Sequence, residues 1–245
     1  MTLKIKILSS IIVATLLSGC LGGNTSDEKI AEIVEKTLNE KPEIIMNALK
    51  AFRERETTKQ AEQQQKALEG QTEALNYDKH SLVLGNPDGD VTVVAFKDYR
   101  CGYCKKSWAT VQELLSKDKQ VRFVFKEFPV LGPQSELASR YALASSVQGK
   151  EEYKTYNDAL MKHRGPWDKK TLQEIAKSHK IDSKQLEKDA GGKFVSDAIA
   201  ANMKLGKALA IGGTPAFVIG KQLIPGAVPL EYLQDTIKKI RAEKK

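Results

Sequence analysis

The chain has 245 residues, with 39 Lys and Arg against 31 Asp and Glu, a formal charge of +8, three cysteines and three histidines. The basic residues form no run of about five or six and carry no interleaved aromatics, which excludes a nucleic-acid partner. The length suffices for one sizeable core plus an extra element, and the cysteine count excludes a framework of structural disulfides.

At the amino terminus, Lys4 and Lys6 precede a short apolar stretch, Ile7 to Leu17. It is too short to span a bilayer as a helix, which takes about 20 apolar residues, so residues 1–19 read as a processing signal. Leu17-Ser18-Gly19-Cys20 resembles the lipobox of bacterial lipoproteins, whose cysteine is lipidated and becomes the first residue of the mature chain. The alternative is an ordinary secretory signal with a chance cysteine. The resemblance implies a lipid anchor at Cys20 in the bacterial envelope. Leu21, in place of aspartate, leans towards the outer membrane by the sorting rule of such lipoproteins. Cleavage would remove two lysines and leave a formal charge of +6. In an oxidising periplasm, where disulfides persist, only Cys101 and Cys104 would then remain unmodified.

Residues 20–26 read as a lipidated tether and residues 27–76 as a helical stalk. Ile30, Ile33, Val34 and Leu38 repeat at spacings of three and four, and Pro42 opens a second helix carrying Ile45, Leu49 and Phe52 on one stripe. The stripe predicts a homo-oligomer, a dimer or trimer. The polar stretch Glu54 to Gln65 fails the sustained heptad test for a coiled coil, which leaves a loose spacer as the alternative.

Turn residues Gly85 to Gly89 lead into a strand, Val91 to Phe96, then a helix whose apolar face is Trp108, Val111, Leu114 and Leu115. Val121 to Phe128 reads as a second strand and Ala216 to Ile219 as a third. Between them the spacing predicts helices from Ser135 to Gly149 and near 151–162, 169–179 and 193–208. The tail Pro229 to Ile240 is a last amphipathic helix. Strands with helices on both faces make an α/β fold with a helical insertion at about 135–208.

Cys101-Gly102-Tyr103-Cys104 lies at the junction of the first strand and its helix. A cysteine there meets unpaired backbone N–H groups and the positive end of the helix dipole, which favour a thiolate. The second sulfur lies one turn on, close enough for a small disulfide ring. That pattern points to thiol–disulfide exchange. Half of a zinc site is the competing reading, but His80, His163 and His179 are scattered and no second cysteine pair exists, so no metal is expected. No cofactor is expected either. The three histidines and Trp167 read as ordinary structural or surface residues.

Three motifs in order, Phe96 to Cys104, Val124-Phe125-Lys126-Glu127-Phe128-Pro129 and Gly213-Thr214-Pro215-Ala216-Phe217, make residues 78–243 similar to the DsbA-like thiol:disulfide oxidoreductases of the thioredoxin superfamily. The likeness is strongest to an envelope lipoprotein subgroup with an N-terminal oligomerising segment. It implies a thioredoxin fold with a helical insertion behind the stalk. It further implies Cys101 as exposed nucleophile, Cys104 as buried resolving thiol, and a cis peptide at Thr214-Pro215 lying against the disulfide. Alone, Thr-Pro is more often a plain turn. Lys126 matches a strand lysine near the buried thiol, with an edge-strand surface lysine as the alternative. Many relatives carry a buried acid six residues before the first cysteine, where this chain has Ala95. Tyr103 replaces the histidine of strongly oxidising relatives, so a reduction potential below about −120 mV is expected.

The resemblance therefore implies an envelope enzyme that forms, isomerises or reduces disulfides in exported proteins, served by a membrane redox partner. Tyr103, Thr214 and the stalk lean towards isomerase or dual-mode activity. The alternative is a non-enzymatic lipoprotein chaperone or binding module on the same fold.

Overall fold

The computed structural model describes residues 27–78 and 81–244. The signal, Cys20 and the tether lie outside the described residues. Chain contacts divide the protein into a unit ending at Thr58 and a unit beginning at Lys59.

The first unit comprises α1 (Asp27–Glu40) and the start of α2 (Glu43–Gly70). Nothing in α1 is buried, and α2 buries only Leu68. Ile30, Ile33, Val34, Ile45, Leu49 and Phe52 are all exposed. Their period is helical, but within this unit no core receives them.

In the second unit the end of α2 and a short α3 (Thr72–Asn76) precede an edge strand, β1 (Leu82–Gly85), then β2 (Val91–Lys97), α4 (Gly102–Lys117) and β3 (Val121–Glu127). Five helices follow: α5 (Pro133–Gln148), α6 (Lys150–Lys162), α7 (Lys169–Ser178), α8 (Ser183–Ala190) and α9 (Lys193–Ala208). β4 (Ala216–Ile219), β5 (Gln222–Pro225) and α10 (Leu230–Glu243) complete the chain. The sheet order is β1-β3-β2-β4-β5. β2 and β3 run parallel, as a helical crossover between them requires, and the other pairs are antiparallel.

Both faces of the central strands are covered, so β2 and β3 read as nearly continuous apolar runs rather than alternating ones. On one face Val93, Ala95, Phe123, Phe125 and Phe217 meet Trp108, Val111 and Leu114 of α4 and the insertion helices. On the other, Val94, Phe96, Val124 and Phe128 meet Leu205 of α9 and Leu209 just after it, together with Leu68 and Leu75. The segment read as stalk thus has two fates: its exposed apolar stripe ends near residue 52, whereas Leu68 and Leu75 help to close the core of the following unit. Burying each of those leucines contributes about 1.5–3 kcal/mol.

Candidate active site

β2 ends at Lys97, and the chain turns through Asp98-Tyr99-Arg100 into Cys101, the N-cap residue of α4. Buried Asp98 builds this turn. Its Oδ1 accepts the Arg100 amide at 2.8 Å, and its Oδ2 accepts the Val130 and Leu131 amides at 3.0 and 3.1 Å. One carboxylate thereby ties the dithiol turn to the loop after β3.

Cys101 keeps 8% of its surface exposed and Cys104 2%. The resemblance implied an exposed first thiol; here it is the more accessible of two buried sulfurs, because the loop before β4 covers it. The Cys101 thiol donates to the Thr214 carbonyl at 3.1 Å, and the Thr214–Pro215 peptide is cis. The Gly226 amide donates to the Pro215 carbonyl at 2.8 Å and so holds this loop to the end of β5. Gly102 and Tyr103 face solvent, Tyr103 prominently so. Burial pushes the Cys104 thiol up to about 12; the Asp98 amide opposes the shift and the neighbouring Cys101 adds to it.

A charged network lies behind Cys104. Lys97 Nζ meets Glu127 Oε1 at 2.7 Å, and both side chains are almost wholly buried. Glu127 Oε1 also accepts the hydroxyls of Tyr99 and Tyr153, each at 2.8 Å, and its Oε2 accepts Ser139 at 3.2 Å. Lys97 donates further to Asn157 Oδ1 at 2.8 Å and stands over the Tyr99 ring. Burial pulls the Lys97 ammonium below its ordinary range, with the Glu127 charge resisting. Burial, then Glu127, holds the Tyr99 and Tyr153 hydroxyls well above theirs. A void of about 10 Å³ is lined by Ala95, Lys97, Cys104, Trp108, Phe125 and Pro215. That is about the smallest void that holds one water molecule.

Strand alternation decides which lysine faces the thiols. Ala95 pairs with Phe125 and Lys97 with Glu127, so these four share the face that α4 covers. Lys126 stands between them and points the other way. Its ammonium donates to the Ala74 carbonyl at 2.6 Å, Ser81 Oγ at 2.6 Å and Asp78 Oδ2 at 3.1 Å. The expectation that Lys126 lies near the buried thiol is therefore corrected: it is a buried lysine that anchors the segment before β1. Lys97 and Glu127 instead put charged groups on the sheet face that Ala95 shares. Sequence reasoning left both unassigned, although charged residues at the ends of two otherwise apolar paired strands were a visible signal. Tyr153 and Asn157, four apart on α6, had none. Strands β1 and β5 and helix α8 were also missed; the first two are edge strands of four residues, and unlike the equally short β4 neither is wholly apolar.

Among the described residues no group of His, Cys, Asp or Glu is placed to hold a metal ion.

The family described as Thioredoxin matches residues 77–239. The chain is similar to a thioredoxin-like oxidoreductase from Silicibacter pomeroyi, with 40% identity and a TM-score of 0.67 over 69% of this chain and 97% of that one. It is similar also to the thiol-disulfide exchange protein alpha-DsbA2 from Wolbachia pipientis, with 25% identity and a TM-score of 0.69 over 74% of this chain and 97% of that one. Disulfide bond formation protein D of Bacillus subtilis is 26% identical over 174 residues, 66% of this chain and 77% of that protein. The first curated relatives are much longer: a Na(+)/H(+) antiporter NhaA 3 of Salinispora tropica is 25% identical over 157 residues, 63% of this chain, and the chain covers 24% of its length.

Proposed function

Because the chain belongs to the thioredoxin superfamily as a DsbA-like member, we propose that it is an envelope thiol:disulfide oxidoreductase working through Cys101 and Cys104 on exported proteins. One observation carries the reading: the two thiols sit at the N-terminus of α4, the first against the Thr214 carbonyl and the second lining a small void with Lys97 of a buried ion pair.

In the oxidising direction a substrate thiolate attacks the Cys101 sulfur of the Cys101–Cys104 disulfide, and Cys104 leaves and takes up a proton. A second substrate thiolate then attacks the substrate sulfur of the mixed disulfide and releases Cys101. The substrate loses two electrons and the protein pair gains them. In the isomerising direction Cys101 attacks a scrambled disulfide, and Cys104 frees it if no better partner forms.

Cys104 needs help in either direction. A thiol with a pKa of about 12 is ionised in only about one molecule in 10⁵ at pH 7. Its proton must leave as it attacks. The buried pair supplies a route: Cys104 gives its proton towards Lys97 while Lys97 passes one to Glu127. The step ends with a thiolate beside an ammonium and a neutral carboxylic acid, so charge and protons balance. A high thiol pKa also makes Cys104 a slow leaving group. This supports the lean towards isomerase or dual-mode action that Tyr103 and Thr214 suggest.

The remainder of the reading is architectural. Cys20 carries the lipid anchor in the envelope membrane, more readily the outer one, and a membrane redox partner resets the dithiol. Among the described residues no helix is long and apolar enough to cross a membrane. The exposed stripe from Ile30 to Phe52 associates with other copies of the chain. The test is insulin reduction by the wild type, Cys101→Ala and Cys104→Ser. The wild type should turn over, Cys101→Ala should be inert, and Cys104→Ser should accumulate mixed disulfides. No turnover by the wild type would return the chain to the binding-module reading, and full activity in Cys101→Ala would overturn the assignment of Cys101.

A further inference from the structure

The surface around the dithiol has an uncompensated positive sign. Arg100 immediately precedes Cys101, and Lys105 and Lys106 immediately follow Cys104. Arg164 comes in from the loop between α6 and α7, close enough to Lys105 to push its ammonium down; with burial as the larger cause, that pKa is lowered to about 8.

Each cation is held by a neutral group. Arg100 Nη1 donates to the Leu131 carbonyl at 2.7 Å, and Lys105 donates to the His163 carbonyl. Arg164 Nη1 donates to the carbonyls of Met161, Lys162 and His163 at 3.0–3.2 Å. Lys106 Nζ stands 5.4 Å from the centroid of the exposed Tyr103 ring. No ion pair among the described residues includes any of the four.

The lack of carboxylates extends beyond these side chains. The segments that converge here, residues 99–112, 128–135, 163–167 and 209–217, contain no Asp or Glu. The one acid within the turn, Asp98, is buried and accepts three backbone amides. Its charge opposes the fall in the Lys105 pKa. Even counting it in full, four cations less one anion leave a net +3. Asp158 of α6 reaches Trp108 and Gln112 of the first segment, but its charge is met by Lys162; elsewhere the surface is mixed, as the ion pair Lys193–Asp197 shows.

We propose that this cationic rim selects substrates whose cysteines lie in acidic segments. The inference rests on the oxidoreductase reading and names its substrate class. A rim of one sign concentrates the opposite charge before contact, raising association rates by roughly 10- to 1,000-fold at low salt. The exposed Tyr103, Val130 and Leu131 supply apolar contact at the same place. They suit an unfolded acidic segment better than a small anion, which would gain nothing from them.

The test uses the reduced full chain and two cyclic peptides with the same disulfide, one flanked by three glutamates and one by three lysines. The reaction is balanced: the protein dithiol becomes a disulfide as the peptide disulfide becomes a dithiol. At 10 mM salt, where the Debye length is about 30 Å, the acidic peptide should react about 10-fold faster. At 1 M, where it is about 3 Å, the ratio should fall below about two. Lys106→Glu, whose ammonium stands over the exposed Tyr103 ring, should cut the low-salt ratio about threefold and leave the ratio at 1 M salt below about two. Equal rates for the two peptides at low salt, or a ratio indifferent to salt, overturn the inference and leave the oxidoreductase reading standing. No reaction with either peptide overturns both.

Discussion

Replacing Glu127 by Gln separates the structural and chemical parts of the buried pair. The amide keeps the shape and an oxygen that can accept the Tyr99 and Tyr153 hydroxyls, but it leaves the Lys97 ammonium buried without a counter-charge. Breaking such a pair costs about 3–5 kcal/mol. At about 2–4 °C per kcal/mol for a unit of this size, the melting midpoint should fall by about 6–20 °C. The pH dependence follows from the sign of the lysine shift. Folding depresses the Lys97 pKa, so above that folded value the unfolded chain binds more protons, and stability rises with pH up to the ordinary lysine value of about 10.4. Without Glu127 the depression deepens and the rise begins at lower pH. The deficit in urea unfolding should therefore shrink between pH 7 and pH 9. A Lys97→Met, Glu127→Gln double variant removes both charges and should recover most of the stability. It should still release mixed disulfides about 100-fold more slowly than wild type, since the proton acceptor is gone. A stability loss below about 1 kcal/mol, a deficit that grows with pH, or wild-type release in the double variant would refute the reasoning.

Three other outcomes are expected. Lys126→Met should lower stability by about 2–4 kcal/mol, because Asp78 loses its buried partner, yet change the disulfide-exchange rate less than twofold; a large kinetic effect would restore the placement inferred from the resemblance. Leu68→Ala and Leu75→Ala should each cost about 2–5 kcal/mol in chemical denaturation, whereas Phe52→Ala should leave that unit's stability unchanged and weaken self-association in sedimentation velocity. Arg241 joins Asp90 and Asp118 at 2.7 Å and, chiefly by hydrogen bonding, holds both carboxyls below their usual range. Being partly exposed, it should cost only about 1 kcal/mol as Arg241→Met at neutral pH. Because the folded carboxyl pKa values are depressed, that difference is present above pH about 4 and should disappear as the pH falls below it.

The legible parts of this protein were those governed by neighbours in sequence. Apolar spacing located β2, β3, β4 and most of the helices, since a buried face must recur with the period of its element. The dithiol announced itself because strand end, cysteine spacing and helix start are all local. The pattern also predicted the exposed stripe of α1 and α2. What sequence could not settle was the content of the face beneath the thiols. Lys97, Lys126 and Glu127 look alike in the chain: charged residues at or near the ends of apolar strands. A shift of one residue moves a side chain from one face of a sheet to the other. Only the pairing of Lys97 with Glu127, and the position of α4 above that row, decided which lysine meets Cys104. Tyr153 and Asn157 reach the same point from α6, and the Thr214 carbonyl reaches Cys101 from more than a hundred residues away. Local sequence determined where the sulfurs sit; tertiary packing decided what surrounds them, because burial and charge at a thiol are set by whichever distant segments close over it.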